Sequence, residues 1–277
     1  MKDIEENLDK LRLVIQKHEE IFNEIIENYN RRRAVIPEEI FITLMVFRKI
    51  VEKLDAIFIL LENKSENAAK SISRDLIENF LYFSFIIETK DKYKIRALSY
   101  YFSNFKDQIS LSKLLRTKNH RGIKIREFLD IKADNKGLVN EARKVEEHFI
   151  SVLAKEQYNN IKVEWDRLEK KGKYPKWYSL FNGPKSMRQL SKWCGYEAEY
   201  ELLYGLYSRQ VHSANAMDQF ENVNGLAGIK NLRVYEDPIL EILFSLRLGI
   251  ESLKKIVVFF ELDNEINIDY WERNILK

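Results

Sequence analysis

The amino-acid sequence predicts an all-α fold, a multi-helix bundle. Three observations carry that prediction. Apolar residues recur at steps of three and four along most of the 277-residue chain, the period of one helix face. Gly (9) and Pro (4) are scarce, so sharp turns are few and a sheet of many hairpins is disfavoured. Hydrophobic residues make up 45% and charged residues 32%, the composition of a folded globular chain rather than a disordered one.

The first helix covers 3–29, with Ile4, Leu8, Leu11, Val14/Ile15, Ile21/Phe22 and Ile25/Ile26 on one face. RRRAVIP breaks it. Pro37 with Glu38 and Glu39 starts a second helix running to about Asn63, because proline suits the first turn and acids suit its dipole. ENKSEN is a turn, and a third helix spans roughly 66–88. A fourth runs from Tyr93 to about Leu115. The polar stretch 117–137 is a connection with at most a short helix, and 138–171 is helical and heavily charged. KGKYPKWYSLFNGP (171–184) is the strongest breaker. A short helix follows at 185–193, then another from Glu197. NVNGLAGIKN (222–231) reads as a loop, and Pro238 opens a last long helix to about Leu262. The expected organisation is a single helical domain over 1–277. It has an N-terminal helix and connection (1–36), a core bundle (37–262) and a tail (263–277).

Several function classes lack support. One cysteine, Cys194, rules out an internal disulfide and a multi-cysteine zinc site and suits a reducing compartment. The acid-rich N-terminus is not a signal peptide, and no window reaches the ~18 apolar residues of a membrane span. A soluble cytoplasmic protein, with no membrane association, is expected. No histidine follows an acid by three residues, so di-iron pairs are absent. Walker, dinucleotide-binding, H-E-x-x-H and G-x-S-x-G motifs are absent too, and neither metal nor cofactor is expected. Net charge is +3, but cations cluster. Lys170 to Tyr196 and Gln108 to Arg126 carry lysines and arginines with no acid, including Lys185 and Arg188. Such blocks attract phosphate locally. Tyr174, Trp177, Tyr178 and Trp193 among them are what single-strand binding would use.

Two helices carry polar stripes. In LYGLYSRQVHSAN (203–215), Tyr204, Ser208 and His212 share a face at i, i+4, i+8, with Arg209 beside it. Gly205 is read on the same face, where it would admit a ligand or backbone. In AAKSISRDLIENFLYF, Ser71, Arg74 and Glu78 lie at i, i+3, i+7 in an otherwise apolar helix. Arg74 and Glu78 can pair there, and buried charge needs such a partner. The bland account is a structural salt bridge, a core histidine and ordinary tyrosine packing.

The pattern R-x-x-x-E (Arg74, Glu78), W-Y (Trp177, Tyr178) and Y-x-x-Y-S-x-x-x-H (Tyr204, Tyr207, Ser208, His212) resembles an uncharacterised family of helical bacterial proteins, over roughly residues 40–220. That family in turn looks distantly like HEPN domains, helical and usually dimeric, many of them metal-independent ribonucleases. The resemblance implies an HEPN-like core with additional helices, a homodimer, and RNA or nucleotide as partner. It also implies a toxin or phage-defence role with an activating or neutralising protein partner. His212 would be the general base, since its unperturbed pKa of roughly 6.5 lies near working pH. Arg209 or Arg74 would stabilise the phosphorane through a planar fork matched to phosphate, with Glu78 orienting Arg74. Tyr204, Tyr207, Ser208, Lys185 and Arg188 would contact substrate. The alternative is a non-enzymatic helical binding module, with the Arg-Glu-His cluster as a structural link.

Overall fold

A seam at heptad-like spacing organises the N-terminal helix. In α1 (Lys2–Arg31), Leu11, Val14, His18, Ile21 and Ile25 are all buried, which is the stripe a helix packs with. The structure, a computed structural model, describes residues 2–130, 136–172, 174–211, 216–234 and 237–275. It is mostly helical, with one small two-stranded sheet among those residues. The chain forms two compact units, residues 1–93 with 186–277, and residues 94–185.

In the first unit, Pro37 caps α2 (Glu38–Glu62). A turn with Lys64 at positive φ leads into α3 (Glu66–Ile87). α2 packs along α3, and α10 (Ile239–Phe259) packs on α1, α2 and α3. Phe47, Leu54, Phe80, Phe83, Leu246 and Leu253 lie in this core. Each such side chain, once buried, contributes on the order of 2 kcal/mol. α8 (Met187–Trp193) and α9 (Glu197–Val211) pack on each other and on the remaining face of α3. α11 (Ile268–Ile275) closes against α10.

α1 and α10 cross closely at Gly249. A Cβ there would meet Val14 Cγ1 at 2.7 Å and Leu54 Cδ1 at 3.3 Å, so only glycine lets these helices approach so near. One helical turn from that contact, His18 Nδ1 lies 2.8 Å from the Val14 carbonyl and Nε2 lies 2.8 Å from Ser252 Oγ. A carbonyl can only accept, so Nδ1 carries the proton and Nε2 accepts from the serine.

The second unit holds α4 from Lys94 onward (α4 is Tyr93–Arg116), α5 (His120–Phe128), α6 (Lys136–Leu153) and α7 (Asn159–Glu169). Its core is aromatic: Phe102 lies 5.4 Å from Trp165, and Trp177 packs edge-on to Tyr100 at 5.3 Å. Asn119 caps α5 by accepting from the Gly122 amide. The helical stretch read over 138–171 is broken by a 3-10 turn at Glu156–Tyr158. The break turns Tyr158, Ile161 and Trp165 inward, and all three are fully buried.

The segment read as a loop at 222–231 forms most of a hairpin, β1 (Phe220–Val223) paired antiparallel with β2 (Leu226–Ile229). Asn224 and Gly225 form its turn with φ of 55° and 83°, the all-positive turn that Asn-Gly favours.

His18 makes the first unit acid-sensitive. Burial lowers its pKa from 6.5 to about 4. The folded value lies below the unfolded one, so its contribution is full above pH 6.5 and is lost as pH falls towards about 4. The slope for one proton is at most about 1.4 kcal/mol per pH unit. His18→Leu is expected to be less stable than wild type at neutral pH, yet to lose less stability between pH 6.5 and 5, where carboxylates contribute least. Urea melts across that range check both.

Candidate functional site

α3 carries four charged residues at four-residue steps: Glu66, Lys70, Arg74 and Glu78. A four-residue step advances by about 40° beyond one full turn, so the stripe winds slowly around the helix. Its first half meets the start of α10, and its second half meets α9. Each charge in so apolar a helix must find a partner, because unpaired buried charge is costly.

The partners are found in sequence order. Lys70 Nζ lies 2.7 Å from Glu66 Oε1. Glu66 Oε2 also accepts from the Asp237 amide at 3.2 Å, ahead of α10. Glu66 itself sits in the first turn of α3, where a carboxylate suits the helix dipole. Arg74 Nη2 lies 3.1 Å from Glu78 Oε1. The Arg74 guanidinium carbon lies 4.8 Å from the centroid of the Tyr204 ring, and Tyr204 stacks on Tyr200 at 5.1 Å. Arginine, tyrosine and tyrosine thus form a layered stack, which orients the guanidinium plane. Arg74 Nε is buried and has no hydrogen-bond partner among the described residues. Burial first, then Tyr204 and the Glu78 charge, push the Tyr200 hydroxyl up to about 12.

One turn further along α9, Tyr207 turns to α10. Its hydroxyl donates to Glu241 Oε1 at 2.6 Å. Glu241 is 1% exposed, and burial raises its pKa although the Tyr207 bond and the Lys70 ammonium oppose that. Its Oε2 has no partner among the described residues. Burial and the Glu241 carboxylate both push the Tyr207 phenol up. The result is one polar seam running from the start of α10 along α3 to α9.

The sequence-predicted residues divide. Arg74, Glu78 and Tyr204 come together. Tyr207 faces Glu241 rather than Arg74, and Ser208 is half-buried on α9. His212 and the side chain of Arg209 lie outside the described residues. Arg188 pairs with Glu201 at 2.5 Å, and Lys185 is an exposed residue of the second unit. Gly205 does not face a close approach: it is exposed, and an added Cβ would meet nothing within 4 Å. Trp177 and Tyr178 are buried, so they are core residues and not a base-stacking surface. Within the basic blocks, Arg116 pairs with Glu146 and Arg126 donates to the carbonyls of Leu115 and Thr117. Glu66, Lys70, Tyr200 and Glu241 were not singled out by sequence. The four-residue repeat Glu66-Lys70-Arg74-Glu78 is a legible signal for two of them. Glu241, one acid in PILEILF, shows its role only through its neighbours.

A family model described as "Family of unknown function (DUF5677)" matches residues 40–225, which takes in α3, α8, α9 and β1. No curated protein and no solved structure matches the chain. No described helix is long and apolar enough to cross a membrane.

Tyr207→Phe removes the hydroxyl donor from a buried carboxylate. It is expected to destabilise the fold by about 1–3 kcal/mol near neutral pH. Glu241's folded pKa lies above its unfolded value, so its charge weighs against folding once pH rises through that folded value. The penalty in Tyr207→Phe is therefore larger near pH 7.5 than near about pH 5, where more of the carboxyl is protonated. Denaturant melts of both proteins at the two pH values measure the difference.

Proposed function

Given that the chain belongs to the DUF5677 family of unknown function, we propose that the α3–α9 seam serves metal-independent cleavage of RNA. The observation that carries this reading is the arrangement of Arg74. Glu78 and the Tyr204 ring hold its guanidinium in one orientation, while its Nε–H has no acceptor among the described residues. A guanidinium fixed in this way is prepared to stabilise charge on a phosphoryl oxygen. The same face of α9 carries Tyr204 and Ser208, and the four-residue spacing continues to His212.

The chemistry balances without a cofactor. His212 removes the proton from a ribose 2′-hydroxyl. The 2′-oxygen forms a bond to the adjacent phosphorus, and the bond to the 5′-oxygen breaks. The 5′-oxygen takes up a proton, leaving a 2′,3′-cyclic phosphate. Arg74, or Arg209 in its place, stabilises the phosphorane. Glu78 positions Arg74, and Tyr204 and Ser208 contact the substrate. The HEPN resemblance extends this reading to a cytoplasmic homodimer acting as a toxin or phage-defence effector under a protein partner's control.

A specific observation favours a second reading. Lys70 is paired with Glu66, Arg74 with Glu78, and Tyr207 with Glu241. A seam closed on itself in this way suits a non-enzymatic helical binding module in which these residues link helices.

The two readings part on one experiment. Wild type, His212→Ala and Arg74→Lys are incubated with mixed RNA in EDTA, alongside thermal melts and expression in cells. The cleavage reading expects 2′,3′-cyclic phosphate ends from the wild type. It expects about 100-fold or greater loss in His212→Ala, with an unchanged melting temperature. RNA left intact by the wild type both in the tube and in expressing cells overturns it in favour of the binding module. Light scattering tests the homodimer directly.

A further inference from the structure

The C-terminal half of α3 borders a cavity of about 440 Å³ in the first unit. Ser84 and Ile87 of α3 line it, together with Trp193, Cys194 and the outer turns of α10 as far as Phe259. Its volume falls in the range of small-molecule sites. Trp193 is held in place, because its indole N–H reaches both oxygens of Glu88 at 2.9 and 3.0 Å. Phe85 packs edge-on against its ring at 6.1 Å. The apolar wall is therefore braced, although Trp193 is 47% and Val258 63% exposed. Apolar side chains left open beside a concave surface are characteristic of binding sites.

The polar groups of the cavity fix what it would take. Three lysines and one glutamate line it: Lys90, Lys254 and Lys255, and Glu88. Lys90 is paired with Glu261, and Lys254 with Asp269 and Glu272. Lys255 forms no ion pair among the described residues, and its ammonium lies 5.4 Å from the centroid of the Tyr196 ring. One ammonium without a carboxylate suits one negative charge, not a polyphosphate. The second polar group is Ser84. It is 4% exposed, and its Oγ has no hydrogen-bond partner among the described residues. A buried hydroxyl without a partner is uncommon, because leaving one costs about 1–3 kcal/mol. Ser84 is among the residues that line the cavity.

We propose that this cavity binds a small amphiphilic monocarboxylate. Its carboxylate lies on Lys255, it makes a polar contact with the Ser84 hydroxyl, and its hydrocarbon body lies against Ile87, Trp193, Val258 and Phe259. The site is separate from the Arg74 seam and does not depend on the RNA reading.

Cys194 reports on the site, since it is the only cysteine of the chain and lines this cavity. The experiment follows the rate at which iodoacetamide alkylates Cys194, by mass spectrometry, with octanoate or 1-octanol present below micelle-forming concentrations. Octanoate is expected to slow alkylation saturably, half-maximally on the order of 1 mM or below. The uncharged alcohol should be at least about tenfold weaker. Lys255→Met keeps the apolar stem of a half-exposed residue, and it should reduce octanoate to the alcohol's level. Lys255→Gln should do the same, and Ser84→Ala should weaken octanoate several-fold. Absence of protection by octanoate in the wild type overturns the proposal. Equal protection by octanoate in wild type and in both Lys255 variants overturns it as well.

Discussion

The enclosure of α3 is the constraint on which the first unit depends. α2, α10, α9 and α8 all pack against it, so little of its surface is left to water. An enclosed helix must be apolar, or its polar groups must be satisfied by its neighbours. α3 does both in succession. From Leu76 to Ile86 it presents Leu76, Ile77, Phe80, Leu81, Phe83, Phe85 and Ile86, all buried. From Glu66 to Glu78 it carries a charged stripe whose partners come from itself, from α9 and from the start of α10. The tyrosines of α9 follow from that demand. A tyrosine ring covers apolar surface and faces a cation, while its hydroxyl can reach a carboxylate. No aliphatic residue could meet both needs.

Much of the helical framework was legible because it rests on local physics. The starts at Pro37 and Pro238 and the breaks at 32–37 and 171–184 follow from the backbone preferences of proline and glycine. The Arg74–Glu78 pair was legible because both ends of the contact lie on one helix. What was not legible lies across elements. Periodicity cannot tell that Trp177 and Tyr178 face inward, since a lysine-rich stretch with aromatics reads equally as a binding surface. The hairpin turn was written in Asn224-Gly225, but its strands are short and stand alone in a helical chain, so the helical pattern outweighed the local signal. Gly249 sits in a long apolar helix where nothing in its own segment shows that α1 presses against it. Glu241 reads as an ordinary first-turn acid until Tyr207 is placed beside it.

The two halves of α3 lend themselves to different chemistry for the same reason. Where its neighbours bring charge, the groups are fixed in place by one another, as a site for a charged reacting group requires. Where its neighbours bring mostly apolar surface, Ser84 lines a cavity, and its buried Oγ has no partner among the described residues. A single helix thus offers a charged seam and an apolar-walled cavity about 15 Å apart, given ten residues between Arg74 and Ser84 at 1.5 Å each.

The close crossing of α1 on α10 has a consequence for how the chain is made. Roughly 200 residues separate Arg31 from Ile239. A ribosome adding about 5–20 residues per second therefore exposes the α1 seam on the order of ten seconds or more before its partner emerges. During that interval α1 has α2 to lean on, but the side that will receive Gly249 stays uncovered. The seam holds a histidine at its centre, which stacks on Phe47 of α2 at 5.2 Å and meets its serine partner, Ser252, only once α10 is made. The polar position of the stripe thus has its ring seated on α2 early, while its Nε2 waits for the last long helix to supply a partner.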